Sequence, residues 1–459
     1  MDHENPASPE SGTAPDDGPP APRTLADLDR FGPNRAEAAL RVRAERVTAD
    51  LAAQKRKWDK GFTRRRTLFG VAGAGIAALG AQLVTTRVAF ADPATTNRTL
   101  VVVFLRGGMD GLSVVQPTND ANLKVARPAL TIAPGALLPA GRGFGLNPAL
   151  APLQPYWKAG TMAAVHATAT PDASRSHFQA QDCIERGAAD LAVSTGWLDR
   201  VLVAMGPGTT FRAISEGSAL PRSLVGGEPA IVLQGVQNFA LSGSGSIRDK
   251  SIAALKALYT DLDHPLAAQA QDTIAAMAAA KKVGAGTAGA QYPGGGFSDG
   301  LKDIARLIKA KVGLRVAVLD LGGWDMHTNV GNVDGGAMKD NLTGLSNALA
   351  AFVKDLGAAF TDTTIVTMSE FGRRVEQNGN NGLDHGHGGL MLLLGGGLKG
   401  GQVHGKWPGL SSGALDHGDV AGANDYRDVL GDMLTRRFGI ANLAPIFPGY
   451  TYKPMGVFT

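Results

Sequence analysis

The stretch that decides the fold is Thr99–Leu105 (TLVVVFL), which is followed by Arg106–Leu112 (RGGMDGL). A continuous apolar run of this length is typical of a strand buried on both faces, and such strands occur in parallel sheets. The glycine-rich segment ends the strand and brings Asp110 to its carboxyl end. In open parallel sheets, ligands bind beyond the carboxyl ends of the strands. The pattern therefore predicts an α/β protein whose functional groups follow the strands.

Similar apolar runs recur along the chain and alternate with helical patterns. This alternation predicts a doubly wound, mostly parallel sheet. The irregular residues 196–297, which include Ser242–Ser246 (SGSGS), predict an insertion or cap on the main domain. The other predicted strands are Thr161–His166, Ala230–Leu233, Leu314–Leu321, Thr363–Met368 and Leu390–Leu394. The predicted helices are Phe178–Gly187, Ser251–Lys282, Gly300–Val312, Met338–Leu356 and Asp425–Phe438.

Residues 61–91 have the pattern of an export signal. Arg64–Arg66 precede a Gly/Ala-rich apolar run that ends at Val84, and Ala89–Ala91 (AFA) offers a small-residue cleavage site. Paired arginines before a mildly apolar run resemble a twin-arginine signal. A retained membrane anchor or a buried helix is the alternative, although the run is short and poor in Leu and Ile.

The signal pattern predicts three regions in the chain. Residues 1–60 form a disordered and partly helical extension, residues 61–91 form the signal, and residues 92–459 form the α/β domain. The twin-arginine translocation machinery is then the expected partner. The expected location is the periplasm, the cell envelope or the exterior, with no stable membrane span after cleavage.

Charge and cysteine content exclude two classes of site. Residues 1–91 hold 14 of the 45 basic and 11 of the 41 acidic residues, so the remainder is nearly neutral. No basic stripe interleaved with aromatic residues follows, and we therefore expect no nucleic-acid partner. Because Cys183 is the only cysteine, a multi-cysteine metal site is excluded, and any metal would be bound by His and carboxylates.

Polar residues follow three of the predicted strands. Asp110 is placed either to meet a cation or to form an Asp-Gly turn. Ser176, in the segment Arg175-Ser176-His177, is either a helix N-cap or a nucleophile at a helix N-terminus. Asp325 and His327, in GGWDMH, are spaced to share a cation or to form a structural pair.

The segment Asp384–Gly389 (DHGHGG) is the strongest local signal. It holds Asp384, His385 and His387 on a glycine-rich backbone, shortly after Glu370 in SEFGRR. Imidazole and carboxylate ligands of this kind suit zinc, manganese, iron or magnesium. A hydrogen-bonded structural loop is the alternative.

These blocks occur in an order that identifies a family resemblance. The chain resembles a bacterial family, domain of unknown function 1501, through FLRGGMDGL, SRSHFQAQD, LGGWDMH, SEFGRR and DHGHGG leading into LLLGGGLKGGQVHGKWPG. That family is similar to the alkaline phosphatase and sulfatase superfamily. The resemblance implies an alkaline-phosphatase-like α/β fold with a divalent metal, such as zinc, manganese or magnesium, at the carboxyl ends of the strands.

The resemblance also implies roles for individual residues. It places Ser176 as the nucleophile, beside His177. In the hypothesis built on these residues, Arg175 holds the substrate oxyanion by a bidentate contact. Glu370 stands where relatives have Asp, and the further metal histidine would be His385, His387 or His177. The implied function is an exported metal-dependent hydrolase of small phosphate or sulfate esters; the alternative is an exported non-catalytic binding or assembly protein. The implied metal shell is Asp110, Asp325, His327, Glu370, Asp384, His385 and His387.

Overall fold

The computed structural model describes residues 98–239, 250, 252–253, 256, 265–284 and 286–459. The predicted extension (1–60), the predicted export signal (61–91) and the tract Ser242–Ser246 lie outside the described residues. All predictions made for those segments stay predictions.

The described chain alternates strands and helices, as the sequence predicts. The strands are β1 (Thr99–Leu105), β2 (Val115–Pro117), β3 (Leu138–Gly141), β4 (Phe144–Leu146), β5 (Met162–Ala169), β6 (Ala213–Glu216), β7 (Ile231–Leu233), β8 (Val316–Leu321), β9 (Thr363–Met368), β10 (Gly389–Gly395), β11 (Val403–His404), β12 (Leu415–Asp416), β13 (Asp419–Val420) and β14 (Asn424–Asp425). The α-helices are α1 (Gly111–Val114), α2 (Ala121–Ala126), α3 (Gln154–Lys158), α4 (His177–Arg186), α5 (Trp197–Ala204), α6 (Pro265–Gly284), α7 (Gly296–Lys309), α8 (Ala337–Leu356) and α9 (Tyr426–Phe438). Short 3-10 helices occupy Pro134–Ala136, Pro148–Leu153, Arg222–Leu224, Val236–Asn238, Gly357–Asp362 and Ser412–Ala414.

The main sheet of the described chain has nine strands in the order β11-β5-β10-β9-β1-β8-β6-β7, and β14 also pairs with β5. Its recorded pairs are parallel except those of β10, which runs antiparallel to both β5 and β9. This confirms the predicted α/β class with a mostly parallel sheet. β6 and β7, within the predicted insertion 196–297, extend this sheet beyond β8.

Strand β1 is buried on both faces, as its composition predicts. Val101, Val103 and Leu105 pack into one hydrophobic core, whereas Leu100, Val102 and Phe104 pack into the other, because successive side chains point to opposite faces of a strand. Helices α6, α7 and α8 cover the first core, and α4, α5 and α9 cover the second. The sheet is therefore enclosed between two helical layers.

Helix α4 lies across the carboxyl edge of the sheet. Gln181 on this helix donates a hydrogen bond to Glu370, which follows β9, and Glu185 accepts one from Arg106, which follows β1. The helix begins one residue earlier than predicted, at His177, and ends before Gly187, whose left-handed φ of 70° does not continue a helix. Among the described residues, no helix is long and apolar enough to span a bilayer.

Candidate metal centre

The site is assembled where β9, β1 and β8 end side by side. Asp325 and His327 follow β8, and Glu370 follows β9. Because β10 is antiparallel, it begins where its parallel neighbours end, and the loop that holds His385 therefore reaches the same edge. Helix α4, which follows β5 along the chain, begins with His177 and brings that residue to the same edge.

Four side chains from three separate segments of the chain meet at this edge. One ligand atom from each of His177, Asp325 and His385 lies within 4.8 Å of the other two. Nε2 of His385 is 3.1 Å from Oδ1 of Asp325, and Nε2 of His177 is 3.4 Å from Oδ2. Nε2 of His327 is 3.1 Å from the same Oδ1 and 3.0 Å from Nε2 of His385. We call His177, Asp325, His327 and His385 the three-histidine centre.

Each imidazole of the three-histidine centre is held from behind through Nδ1. Carboxylate and carbonyl oxygens accept hydrogen bonds, so each neutral ring carries its proton on Nδ1 and its lone pair on Nε2. Such outer hydrogen bonds commonly orient the histidines that bind metals. The pairs are His177 with Oε1 of Glu370 at 2.8 Å, His327 with Oδ1 of Asp384 at 2.9 Å, and His385 with the backbone oxygen of Arg175 at 2.9 Å.

The resulting donor set fits a divalent cation. Nε2 of His327 and Nε2 of His385 are 3.0 Å apart, a separation that requires a proton or a cation between the two nitrogens. Nε2 of His177 is buried and has no hydrogen-bond partner in the described part of the chain. Neighbouring ligand atoms of a tetrahedral zinc site lie about 3.3 Å apart. The four measured pairs, each of which includes Asp325 or His385, lie 3.0 to 3.4 Å apart. Imidazoles with one carboxylate suit zinc, manganese or iron.

Arg373 fixes the carboxylate of the centre. Its buried guanidinium lies 2.6 Å from Oδ1 of Asp325 and also donates hydrogen bonds to the backbone oxygens of Gly108 and Leu383. Partial burial opposes ionisation of Asp325, but the hydrogen bond and the charge of Arg373 lower its pKa to about 2. Asp325 is therefore anionic at neutral pH.

Glu370 supports the centre from behind. Its buried Oε1 accepts hydrogen bonds from Gln181 and the backbone N–H of Gly107 in addition to His177. Burial opposes its ionisation, but these hydrogen bonds, with that of Gln181 foremost, hold the pKa of Glu370 below its usual value. Glu370, predicted from the resemblance as a ligand, is thus placed behind the ring of His177 as its hydrogen-bond acceptor, and Asp384 has the same relation to His327.

Arg175 contributes its backbone to the centre. Its φ of 55° is left-handed, which is uncommon for a residue with a side chain, and its carbonyl accepts the hydrogen bond from Nδ1 of His385. Its guanidinium pairs with buried Asp419, at 2.8 Å from Nε to Oδ2. The side chain predicted to hold a substrate oxyanion is therefore engaged by a carboxylate.

Ser176 occupies the N-cap position of α4, but its side chain makes no capping hydrogen bond. Its backbone N–H donates to Oγ of Ser174 instead, at 3.1 Å. Ser176 thus directly precedes His177 at the N-terminus of a ten-residue helix, where the helix dipole favours negative charge.

The structure places two of the predicted ligands away from the centre. Asp110 is buried, caps α1 through Ser113, and forms a two-point ion pair with Arg127 at 2.6 and 2.9 Å. Nδ1 of His387 lies 3.1 Å from Asp416, and its Nε2 lies 3.2 Å from the backbone oxygen of Thr170. Neither residue faces the three-histidine centre.

Sequence reasoning missed three supporting residues. Gln181 follows His177 by four residues, and this helical spacing places both on one face toward Glu370. Arg373 lies in the quoted SEFGRR block, but nothing in the sequence indicates that it reaches Asp325. Asn378 donates a hydrogen bond to Asp384 at 3.1 Å and stands in a loop without a recognisable pattern.

Comparison with known proteins confirms the predicted family resemblance. A family described as "Protein of unknown function (DUF1501)" matches residues 159–421, more than half of the chain. This segment contains all four residues of the three-histidine centre. No curated protein matches the chain.

Solved structures similar to this chain include a sulfatase, a periplasmic domain and an alkaline phosphatase. A sulfatase from Pseudoalteromonas sp. has 14% identity and a TM-score of 0.32, over 82% of this chain and 72% of the sulfatase. The C-terminal periplasmic domain of EcEptC from Escherichia coli, in complex with Zn, has 11% identity and a TM-score of 0.30, over 67% of this chain and 76% of that domain. Alkaline phosphatase from the Antarctic bacterium TAB5 has 10% identity and a TM-score of 0.23, over 66% of this chain and 92% of the phosphatase.

Proposed function

Because this chain belongs to the family described as "Protein of unknown function (DUF1501)", we propose its function from its own site: a metal-dependent hydrolase of phosphate or sulfate esters. The observation that carries the proposal is the convergence of three Nε2 lone pairs on an ionised Asp325. Such a set of acceptors is stabilised by a cation, and fixed Nδ1 partners prepare it to bind one.

The residues of the centre are arranged for ester chemistry on an anionic substrate. A divalent cation held by His177, Asp325, His327 and His385 would supply Lewis acidity toward an ester oxygen. Asp325 and His327 are half exposed, so a substrate has access to this edge from solvent. The positive end of the α4 dipole adds a site for the phosphoryl or sulfuryl oxygens.

Ser176 is the proposed nucleophile. Ser176 directly precedes His177 in the chain, and its side chain is not used to cap the helix. In the proposed reaction, Oγ forms a bond to phosphorus or sulfur while the ester oxygen leaves as the alcohol. Water then releases phosphate or sulfate and restores the hydroxyl. Arg175 acts through its carbonyl on His385, since its guanidinium is paired with Asp419.

Turnover of two chromogenic esters, p-nitrophenyl phosphate and p-nitrophenyl sulfate, tests this proposal. We expect hydrolysis of one of them by the metal-loaded protein, and a loss of at least about a hundredfold in Ser176→Ala. The matched control is Ser411→Ala, because Ser411 is an exposed serine at the start of another short helix. Full turnover in Ser176→Ala would exclude Ser176 as the nucleophile.

A second candidate function is a non-catalytic binding or assembly protein on the same scaffold. The pairing of Arg175 with Asp419 favours it, because this removes the arginine expected to hold a substrate oxyanion. Bound metal without turnover of either ester would support this candidate. Metal with turnover would support the hydrolase.

We also propose that the protein is exported by the twin-arginine pathway and cleaved after Ala91. The basis is the arginine-rich, apolar and small-residue pattern of residues 61–91. The test is N-terminal sequencing of the exported protein, which should begin at Asp92. A variant with Arg64, Arg65 and Arg66 all changed to Lys should stay in the cytoplasm, and unchanged export of that variant would contradict the proposal.

A further inference from the structure

Asp419, the first residue of β13, has a fully buried side chain. Its Oδ2 accepts two hydrogen bonds from the guanidinium of Arg175, from Nε at 2.8 Å and from Nη2 at 2.5 Å. The guanidinium of Arg374 is farther away, with Nε 4.0 Å from Oδ1. A buried carboxylate is costly unless a cation and hydrogen bonds satisfy it. Asp419 therefore fixes the position of the Arg175 side chain.

The ribbon of β12 and β13 is held against the loops that surround the three-histidine centre. The backbone N–H of Val375 donates to the oxygen of Gly418 at 3.1 Å, and the N–H of Gly388 donates to the oxygen of Val420 at 2.8 Å. These backbone hydrogen bonds involve the residues on both sides of Asp419. Its carboxylate is therefore a fixed point relative to the loop that contains Gly388.

The backbone of Arg175 connects this fixed point to the centre. Its φ of 55° is costly for a residue with a side chain, and such a conformation persists only where the surroundings enforce it. The carbonyl oxygen of Arg175 accepts the hydrogen bond from Nδ1 of His385 at 2.9 Å. Nε2 of the same ring lies 3.1 Å from Oδ1 of Asp325. Asp419 is thus linked to His385 through the side chain and the backbone of a single residue.

We propose that Asp419 is a positioning residue of the metal centre, because by holding the side chain of Arg175 it keeps the carbonyl of that residue directed at Nδ1 of His385. The inference rests on the proposed metal centre and does not depend on the identity of the ester. Outer hydrogen bonds of this kind set the tautomer and the orientation of a metal-binding histidine, and their loss lowers metal affinity about 10- to 100-fold.

Titration of the metal-free full chain with Co²⁺, followed by visible absorption, tests the inference. Asp419→Asn keeps the size of the side chain but removes the charge that holds the guanidinium of Arg175. Binding of Co²⁺ should therefore weaken about tenfold. The absorption spectrum at saturation should also change, because it depends on the arrangement of the ligands around Co²⁺. A role of Asp419 in stability alone would leave that spectrum unchanged.

Asp355→Asn is the matched control. Asp355 on α8 is also a fully buried carboxylate, and its partner Lys309 is about as exposed as Arg175, at 30% against 33% of the side chain. Neither Asp355 nor Lys309 belongs to the three-histidine centre. Asp355→Asn should lower stability in the same way but bind Co²⁺ as the parent does, with the same spectrum.

Two double variants separate the backbone of Arg175 from its charge. Both carry Asp419→Asn, and they differ in having either Arg175→Gly or Arg175→Ala, so that both lack the ion pair. Glycine adopts a left-handed φ without the steric cost that alanine incurs. The glycine variant should therefore bind Co²⁺ about tenfold more tightly than the alanine variant. This comparison also decides the question if circular dichroism shows that Asp419→Asn alone does not fold.

Three results would overturn the inference while leaving the metal centre in place. They are Co²⁺ affinity of Asp419→Asn equal to that of the parent, equal losses of affinity in Asp419→Asn and Asp355→Asn, and equal affinities of the two double variants. A parent that binds no Co²⁺ would contradict the metal centre itself, and with it the inference.

Discussion

At the scale of single residues, the hydrogen bonds of three histidine Nδ1 atoms orient the proposed metal centre. Glu370, Asp384 and the carbonyl of Arg175 each fix one proton, and the lone pairs are thereby directed at Asp325. The backbone of Arg175, with its left-handed φ of 55°, is part of this arrangement, because its carbonyl accepts the hydrogen bond from Nδ1 of His385. Strain of this kind costs about 1–3 kcal/mol and is concentrated at functional sites.

Asp110 provides a residue-scale prediction that separates stability from metal binding. Its carboxylate and the guanidinium of Arg127 are both buried, and removal of one partner leaves the other charge unpaired. Asp110→Ala should therefore lower the free energy of unfolding by about 3–5 kcal/mol. Metal content should stay unchanged in the folded fraction, as judged by denaturant titration and elemental analysis.

The control for Asp110→Ala is Asp120→Ala. Asp120 caps α2 from a more exposed position, and its loss should cost about 1 kcal/mol. If Asp110→Ala were as stable as the parent but free of metal, Asp110 would be a ligand, as the family resemblance implies.

At the scale of elements, replacing a glycine inside a helix and replacing a glycine at a helix end should have opposite effects on stability. Gly344 is exposed in the interior of α8 with open space around its Cα, so Gly344→Ala should stabilise the protein by about 0.5–1 kcal/mol. Gly439 ends α9 with a φ of 69°, so Gly439→Ala should destabilise it by about 1 kcal/mol. Urea unfolding of both variants checks the pair, and a destabilising Gly344→Ala would contradict the helix bounds.

Strand β5 carries a buried histidine that makes stability depend on pH. Nε2 of His166 donates a hydrogen bond to the backbone oxygen of Val115, and Nδ1 accepts one from the N–H of Ala167, so the ring is neutral. Burial lowers the pKa of His166 to about 4. Between about pH 6.5 and about pH 4 the unfolded chain binds a proton that the folded chain excludes, and stability therefore falls as pH falls through that window.

The expected loss from His166 between about pH 7 and about pH 5 is about 2 kcal/mol. Urea unfolding of chelator-treated protein measures it without a contribution from bound metal. His166→Gln keeps a polar side chain but cannot titrate, and it should lose less stability over the same interval. Equal losses in the parent and in His166→Gln would assign the pH dependence to other groups.

The sequence predicts elements well where burial alone decides them. β1 and β9 have the predicted bounds because an apolar run buried on both faces stands out from its neighbours. β6 was not predicted, since Ala213–Glu216 is short and ends in the acidic Glu216. α6 overlaps only the second part of the predicted helix Ser251–Lys282, much of whose first part lies outside the described residues.

At the scale of the whole molecule, the order of strands in the sheet decides which residues meet. The sequence shows that Asp325, His327 and His385 follow or precede strands, but not that β8 and β9 flank β1 or that β10 runs antiparallel. Those facts separate His385, which faces Asp325, from His387, which faces Asp416. The same strand order places Glu370 at Nδ1 of His177, on the side of the ring away from Asp325.

The central claim is that the three-histidine centre binds a metal ion. Elemental analysis of the full chain purified from the cytoplasm tests it most directly, for the parent and for His177→Ala, His385→Ala and His387→Ala. The account predicts about one metal ion per chain in the parent and in His387→Ala, and little or none in the other two variants, each folded by circular dichroism. A parent that takes up no zinc, manganese or iron, or equal metal in all four proteins, would contradict it.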